Sequence, residues 1–278
     1  MIDYHIHTSH SVDAEGSIKG YCEQAVKTGL KEICFTNHCE LDRMRDDNLI
    51  RFNTDVEPIT HNNLLKLQEE ILQAKEHYKK FGLAVKFGLE VGYYEGIESR
   101  LKEITEGLEL DFLLGSIHCL DHICIDSSKE HEIYFSRHPV QELLVKYFQE
   151  VEKLVNSGLF DSIGHLDVYK KYGIKYYGEE IRTVQDDILR KLFKLMKEKN
   201  IALEINTAGL RRINEFYPSP SIMKMAYDAG IKLLTVGSDA HKVEDLGKDI
   251  DKAVAYAKSF GFDTLVRFEK RKSIPINV

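Results

Sequence analysis

The sequence predicts a single-domain α/β fold with a parallel sheet, and three observations support this class. The chain of 278 residues is long enough for one α/β barrel. Hydrophobic residues make up 43% of it and charged residues 30%, a balance that favours a large buried core over disorder. Seven short apolar runs alternate with longer segments of helical period. This alternation is typical of a parallel sheet, either open and doubly wound or closed into a barrel, and periodicity does not choose between the two.

The expected strands are the seven apolar runs, which in chain order are MIDYHIH, EICFTNHCE, LAVKFGLEVGYY, LDFLLGSIHCL, LFDSIGHLDVY, IALEINTAGL and IKLLTVGSDAH. Helices are expected between them, over residues 17–28, 61–81, 97–107, 138–157, 183–199, 219–229 and 244–260. Ser17 opens the first helix, and Gly29, Gly158 and Gly230 follow the first, fourth and sixth, as capping preferences predict. The polar segment 40–58 has no clear period and is expected to form an extended βα loop. No linker-like stretch interrupts this order, so we interpret residues 1–278 as one domain.

Charge and composition exclude several classes of protein. The chain has 38 Lys and Arg against 45 Asp and Glu, a net charge of −7, which disfavours a general nucleic-acid binder. It has neither a run of about 20 apolar residues nor an N-terminal signal pattern, so we expect a cytoplasmic protein without a membrane partner. The five cysteines are odd in number and none lies in a CxxC motif, so we expect reduced thiols; they are Cys22, Cys34, Cys39, Cys119 and Cys124.

Metal-ligand types of side chain recur near the C-terminal ends of the predicted strands. They are His5, His7, His38, Glu90, His118, His165, Asp239 and His241. Strand C-termini of parallel α/β folds converge on one face, so these residues are expected to meet there. Unrelated core histidines would not favour the same end of each strand. The donors suit Zn, Mn, Fe or Co, and with Asp13 they number nine, more than one ion takes. We therefore expect two or three divalent transition-metal ions sharing a bridging carboxylate.

These motifs carry a family resemblance. The segments HIHT (5–8), TNH (36–38), GLE (88–90), GSIH (115–118), IGH (163–165) and GSDAH (237–241), together with Asp13, resemble the polymerase-and-histidinol-phosphatase (PHP) superfamily. The resemblance spans essentially the whole chain, and it implies a distorted (β/α)7 barrel with a three-metal site. Four further segments resemble the histidinol-phosphatase branch of this superfamily, although they are less specific than the ligand motifs. They are FGLEVGYYEG, EINTAGLRR, EFYPSP and RFEKRK.

The resemblance also implies how the ligands are divided among the ions. His5, His7, Glu90 and Asp239 would hold the first metal. Glu90 would bridge to a second metal, held also by His118 and His165. Asp13, His38 and His241 would hold the third. Many members of the superfamily have His at the position of Asp13, so the carboxylate there is a departure that bears on metal preference.

Charge complementarity indicates the substrate class. Three divalent ions, three carboxylates and one bridging hydroxide leave a site charge of about +2, which matches a small-molecule phosphate monoester. The expected reaction is in-line attack on phosphorus by a metal-bridging hydroxide, which releases inorganic phosphate and an alcohol. Glu90, Asp239 and Arg211 are the expected catalytic residues. Either Asp239 or a metal-bound water is expected to protonate the leaving oxygen.

Substrate-binding candidates follow the strands as well. Arg211 and Arg212 come after IALEINTAGL, and we choose Arg211 as the phosphate partner because it comes first, although a solvent-exposed arginine pair is an equal alternative. Ser116 is a second candidate donor to phosphate. Histidinol, the alcohol that the resemblance implies, carries an imidazole and an ammonium group. The loops offer hydrogen-bond acceptors and aromatic faces for these groups; the candidates are Glu40, Asp42, Tyr93, Glu95 and Tyr217.

Three functions compete at this point. The first is hydrolysis of histidinol phosphate in histidine biosynthesis, as the resemblance implies. The second is a PHP-type exonuclease or nucleotide phosphatase, which the acidic net charge disfavours. The third is an inactive metal-binding regulatory protein, which the complete ligand set disfavours. The oligomeric state is left open.

Overall fold

The computed structural model describes residues 1–277, which form thirteen strands. They are β1 (Ile2–Ile6), β2 (Glu32–Cys39), β3 (Leu49–Phe52), β4 (Asp55–Pro58), β5 (Ala84–Gly92), β6 (Phe112–Ser116), β7 (Cys119–Leu120), β8 (Ile123–Cys124), β9 (Ser162–Ile163), β10 (Ala202–Asn206), β11 (Leu234–Gly237), β12 (Thr264–Glu269) and β13 (Lys272–Asn277).

Helices cover the outside of the sheet and connect its strands. They are α1 (Ile18–Thr28), α2 (His61–Lys79), α3 (Glu98–Thr105), α4 (His131–Phe135), α5 (Val140–Ser157), α6 (Lys170–Tyr177), α7 (Asp186–Lys199), α8 (Ala208–Ile213), α9 (Pro220–Asp228) and α10 (Ile250–Ser259), with 3₁₀ helices at Gly178–Arg182 and Val243–Asp245.

The main sheet contains seven parallel strands in the order β1-β2-β5-β6-β9-β10-β11. The first and last strands meet where Ile6 pairs with Ala240, and the His7 amide donates to the Ala240 carbonyl at 2.9 Å. Asp3 supports this seam by accepting the amides of Ser238 at 2.8 Å and Gly247 at 2.9 Å. The seven-stranded α/β barrel is therefore confirmed, and it is nearly closed by the contact between β1 and the residues that follow β11.

Burial explains why the apolar runs become strands and why the helices lie where they do. β5 is buried from Val85 to Gly92, as expected for a parallel strand covered on both faces. α5 packs an apolar stripe, which includes Leu143, Tyr147 and Val151, against the barrel. The predicted caps are present: the Ser17 hydroxyl accepts the Gly20 amide at 3.2 Å, and Gly29 ends α1 with a φ of 76°.

The segment 40–58 differs from its prediction. Its second half forms the antiparallel hairpin β3–β4 rather than an extended loop. Ile50 is buried, and the Arg51 amide donates to the His10 carbonyl at 2.9 Å. The hairpin is thus stabilised by contacts with a remote loop, which the local pattern does not encode. The C-terminal hairpin β12–β13 and the short helices α4, α6 and α8 were also not predicted.

The expectation of reduced cysteines is wrong for one pair. Cys119 and Cys124 face each other in the β7–β8 hairpin with Cα atoms 3.9 Å apart, and their sulfur atoms are bonded. The turn consists of Asp121 and His122, both with positive φ, and this pair is not the Asn-Gly or Asp-Gly signal of such turns. The hairpin that brings the two thiols together was therefore not visible in the sequence.

The helices offer no candidate for a membrane span. Across residues 1–277, none combines the length and the apolar character needed to cross a bilayer.

Candidate metal centre

A first group of four ligand atoms lies at the seam of the barrel. The Nε2 atoms of His5 and His7 are 3.4 and 3.5 Å from Glu90 Oε2, and 3.6 and 3.5 Å from Asp239 Oδ1. Metal-to-ligand bonds of about 2.1 Å in a tetrahedron give ligand separations of about 3.4 Å. The four donors are therefore spaced as ligands of one ion are.

The second carboxylate oxygen of Glu90 faces a different pair of histidines. Glu90 Oε1 is 3.1 Å from His118 Nε2 and 2.9 Å from His165 Nε2, and these three residues form a second potential ligand group. One carboxylate thus presents one oxygen to each of two groups. That is the arrangement of a bridging ligand.

The third group lies at the more exposed side of the cluster. Asp13 Oδ2 is 3.5 Å from His38 Nε2 and 3.4 Å from His241 Nε2. His7, His38 and His241 also offer ring nitrogens within 4.8 Å of one another. The side chain of Asp13 is 56% exposed, so this group is the one most open to solvent.

Buried atoms without partners mark where a cation fits. Within the part of the chain that the structure describes, the Nε2 atoms of His5 and His7 and the Oε2 atom of Glu90 are buried and make no hydrogen bond of regular geometry, although His38 Nδ1 lies 2.9 Å from Glu90 Oε2. Buried polar atoms are ordinarily satisfied. These three atoms all belong to the first group, so a metal ion there would satisfy them together.

The pKa values of Glu90, Asp239 and His7 are shifted in the direction that metal binding needs, whereas burial is outweighed by nearby carboxylates, which raise the pKa of His5, His38 and His118. Burial alone would raise the pKa of the Glu90 carboxyl, but the charges of His5, His118 and His38 hold it well below its usual range. The pKa of Asp239 is held low in the same way, chiefly by His5. Burial, together with the nearby His38 and His241, lowers the pKa of His7, which favours the neutral imidazole that metals bind.

The centre borders a cavity of about 300 Å³. Ligands from all three groups line it, together with Val168, Lys171, Ala208, Arg212, Tyr217, Lys242 and Asp126. A second chamber of about 580 Å³ shares Asp13, His38, His118, Asp126 and Lys171 with the first. The two spaces are therefore adjacent, and a small molecule that contacts the cluster can extend into both.

The ligand set agrees with a known family. The sequence profile of the PHP domain matches residues 3–208. The chain belongs to the PHP domain family. The match covers the first five strands of the barrel and β10, and the candidate ligands Asp239 and His241 follow it in the chain.

Several relatives match this chain along nearly the whole length of both sequences. The probable histidinol-phosphatase of Deinococcus radiodurans is 30% identical over 99% of both chains. The histidinol-phosphatase of Lactococcus lactis subsp. lactis is 27% identical over 98% of this chain and 95% of its own length. The crystal structure of the L. lactis histidinol phosphate phosphatase, in complex with zinc, L-histidinol and phosphate, covers 98% of both chains with a TM-score of 0.78 and 25% identity.

The choice of Arg211 as the phosphate partner does not agree with the structure. Its guanidinium donates to the carbonyl of Ser238 at 2.6 Å and to that of Asp239 at 3.4 Å, and it lies 3.8 Å from Asp245. Arg212 instead lines the cavity beside the candidate metal centre. Both belong to α8, where successive residues are rotated by about 100°, so only one of the two faces the ligands.

The other substrate-binding candidates are divided between the two spaces and the protein interior. Ser116 is buried and donates to Glu90 Oε1 at 2.7 Å, so its hydroxyl is not free for phosphate. Tyr93 and Glu95 line a separate cavity beyond Glu40.

Tyr217 lines the cavity beside the candidate metal centre, and its hydroxyl has no hydrogen-bond partner among residues 1–277. Glu40 contacts His118 at 2.8 Å and lines the second chamber.

Several residues of the site were missed in the sequence. Asp126 and Lys171, 3.5 Å apart, line both spaces but lie in segments without a motif. Glu204 lies inside the apolar strand IALEIN, and an acidic residue within an apolar run indicates a buried carboxylate that is paired with another group. His122 lies in no motif, and its imidazole pairs with Asp42 at 2.5 Å.

Proposed function

We propose that this protein is a metal-dependent phosphatase that hydrolyses L-histidinol phosphate to L-histidinol and inorganic phosphate. The observation that carries the proposal is the convergence of nine metal-ligand types of side chain into three adjacent groups, two of which share the carboxylate of Glu90. The similarity in length and fold to a histidinol phosphate phosphatase bound to zinc, L-histidinol and phosphate supports the choice of substrate.

The ligands are assigned as three groups of one site. His5, His7, Glu90 and Asp239 would hold one ion; Glu90, His118 and His165 a second; and Asp13, His38 and His241 a third. When bound, divalent ions such as Zn, Mn, Fe or Co provide a nucleophilic hydroxide at neutral pH and neutralise the phosphoryl oxygens. We assign Glu90 to bridging and Asp239 to proton transfer, because the side chain of Asp239 is 18% exposed and that of Glu90 only 1%.

Arg212 is our candidate for binding the phosphoryl group. Its guanidinium makes no hydrogen bond and no ion pair within 4.0 Å of any residue from 1 to 277, whereas Lys171 is paired with Asp126. A free guanidinium can bind two phosphate oxygens at once. Tyr217 is a second donor, because burial and the nearby Asp167 raise the pKa of its hydroxyl and keep the proton in place.

The second chamber suits a cationic leaving group. Its walls include the carboxylates of Asp13, Glu40, Asp46, Asp47, Asp126 and Glu130 against the cations of Arg45, Lys129 and Lys171. Arg45 is already paired with Asp47 at 2.6 Å and with Glu130 at 2.8 Å. The remaining surplus of negative charge would attract the ammonium and imidazolium groups of histidinol and repel the phosphates of nucleic acids.

The remaining assignments stay predictions. We propose that residues 1–278 form one PHP-type domain, that it acts in the cytoplasm, and that nucleic acid is not its partner. The oligomeric state is not part of the proposal.

The test combines metal analysis with phosphate release. Purified protein loaded with zinc or manganese is expected to hold two to three metal equivalents and to prefer histidinol phosphate over a nucleoside monophosphate and phosphotyrosine. Glu90→Gln is expected to lower bound metal and to reduce turnover by at least 10³-fold, because it removes a charged bridging oxygen. Equal or faster hydrolysis of the nucleotide would refute the substrate assignment, and retained turnover in the variant would refute the bridging role.

A further inference from the structure

Two acidic residues outside the nine ligands contact ligand histidines. Glu204 Oε1 lies 2.6 Å from His5 Nδ1, and both side chains are almost fully buried. The other ring nitrogen of His5 is directed at Glu90 and Asp239. Glu204 therefore contacts His5 on the side opposite to the candidate ion.

Glu40 contacts His118 in the same way. Glu40 Oε1 lies 2.8 Å from His118 Nδ1, and His118 Nε2 lies 3.1 Å from Glu90 Oε1. The side chain of Glu40 is 14% exposed, so this pair is only slightly more open than the first. In both pairs a carboxylate faces Nδ1 while Nε2 faces the ligand cluster.

Each carboxylate reaches its histidine across a glycine on the strand between them. Glu204 is on β10 and His5 is on β1, with Gly237 of β11 between them. A Cβ atom at Gly237 would lie 2.6 Å from Glu204 Oε1 and still closer to His5 Cβ. The lack of a side chain at this position is what allows the contact.

The second pair repeats this arrangement elsewhere in the barrel. Glu40 follows β2 and His118 follows β6, while Gly92 ends β5, the strand between them. A Cβ atom at Gly92 would lie 2.7 Å from Glu40 Cδ and closer to one of its oxygens. Two glycines at strand ends thus make room for two carboxylates that each reach across one intervening strand.

Glu204 is itself held in place by other residues of the site. Its Oε2 atom accepts the His165 amide at 2.7 Å and the Asn206 side-chain amide at 3.1 Å. The same Asn206 amide lies 3.3 Å from Asp239 Oδ2. Glu204 therefore connects His5 with the backbone of His165 and the environment of Asp239.

We propose that Glu204 and Glu40 are positioning residues that set the metal affinity of the centre by orienting His5 and His118. A carboxylate that accepts the Nδ1 proton fixes the tautomer in which Nε2 has a free lone pair, and it makes that nitrogen a stronger ligand. The inference rests on the metal site of the proposed function, but not on its substrate.

Zinc titration of the metal-free protein against a chromophoric chelator tests this inference. Glu204→Gln and Glu40→Gln are each expected to weaken zinc binding by about 10- to 100-fold, the range found when such partners are removed. Glu70→Gln is the matched control, because Glu70 contacts a histidine outside the ligand set, His10, at 3.1 Å. Its zinc affinity is expected to match that of the unmodified protein.

The visible spectrum of the cobalt-loaded protein separates positioning from general loss of structure. A change in the orientation of His5 or His118 is expected to shift the cobalt absorption bands, while the circular dichroism of the variants stays that of the unmodified protein. Folded Glu204→Gln and Glu40→Gln proteins with zinc affinity within twofold of the unmodified protein would overturn the inference. If Glu204→Gln does not fold, the more exposed Glu40→Gln decides.

The outcomes for the two proposals differ. Unmodified protein that binds zinc but does not hydrolyse histidinol phosphate would refute the substrate and leave the role of Glu204 and Glu40 intact. Normal hydrolysis with unchanged zinc affinity in both variants would refute only the positioning role.

Discussion

Neighbouring residues of this site have different chemical roles because a helix turns their side chains apart. Arg211 donates to the carbonyls of Ser238 and Asp239 and thus supports the loop that carries the candidate ligand Asp239. Arg212 lines the cavity, and no carboxylate among residues 1–277 lies within ion-pair distance of its guanidinium. Sequence order alone suggested Arg211 for the phosphate, but side-chain direction favours Arg212.

Replacement of the two arginines is expected to give different kinetic results. Arg212→Ala is expected to raise KM for the phosphate monoester by about 10- to 100-fold with little change in bound metal, because a charge-assisted bidentate contact is lost. Arg211→Ala is expected to lower thermal stability and kcat through the Asp239 loop. Steady-state kinetics with metal analysis checks both. An unchanged KM in Arg212→Ala would move the phosphate contact elsewhere.

The loops above the barrel are connected by ion pairs rather than by the sheet. Arg45, in the segment after β2, donates to both carboxylate oxygens of Glu130 at 2.8 and 2.9 Å and to the His122 carbonyl at 2.7 Å. Glu130 also accepts the Cys124 amide at 3.1 Å. Arg45 therefore connects the 40–58 segment to the disulfide-bonded hairpin, and both border the second chamber.

This connection predicts a pH-dependent effect of Glu130→Gln. The hydrogen bond from Arg45 lowers the pKa of Glu130 below its ordinary value of 4.5. A lowered pKa in the folded state stabilises the protein above pH 4.5, and this contribution is lost as pH falls through the folded-state value. Glu130→Gln is expected to cost about 1–2 kcal/mol at pH 7.

Urea unfolding at several pH values checks this effect. The difference in unfolding free energy between Glu130→Gln and the unmodified protein is expected to shrink as pH falls below 4.5. A difference that stays constant from pH 7 to pH 3 would show that the contribution of Glu130 does not come from its charge.

At the scale of the whole molecule, the candidate metal centre lies where the two ends of the barrel meet. His5 and His7 come from β1, while Asp239 and His241 follow β11, the last strand of the barrel. Ligands from the two ends of the sheet therefore meet in the first and third groups. An ion bound there would connect the N-terminal and C-terminal parts of the barrel.

Removal of metal is accordingly expected to destabilise the entire fold. Free metal at about 1,000 times its Kd stabilises a protein by about 4 kcal/mol when it binds only the folded state. For a chain of this size, that corresponds to a fall in Tm of roughly 10 °C after chelation. Calorimetry before and after dialysis against a chelator, followed by zinc addition, measures it. An unchanged Tm in protein shown to be metal-free would contradict this role of the ligands.

The sequence by itself determined the seven barrel strands and the ligand types at their ends, because apolar period and strand-end position are local properties. It did not reveal the β3–β4 hairpin, the Cys119–Cys124 bond or the direction of Arg212, which depend on contacts between distant segments. Only the tertiary structure brought Glu204 to His5, 199 residues away in the chain. A strand pattern predicts that a side chain is buried, but barrel closure decides which remote group it meets.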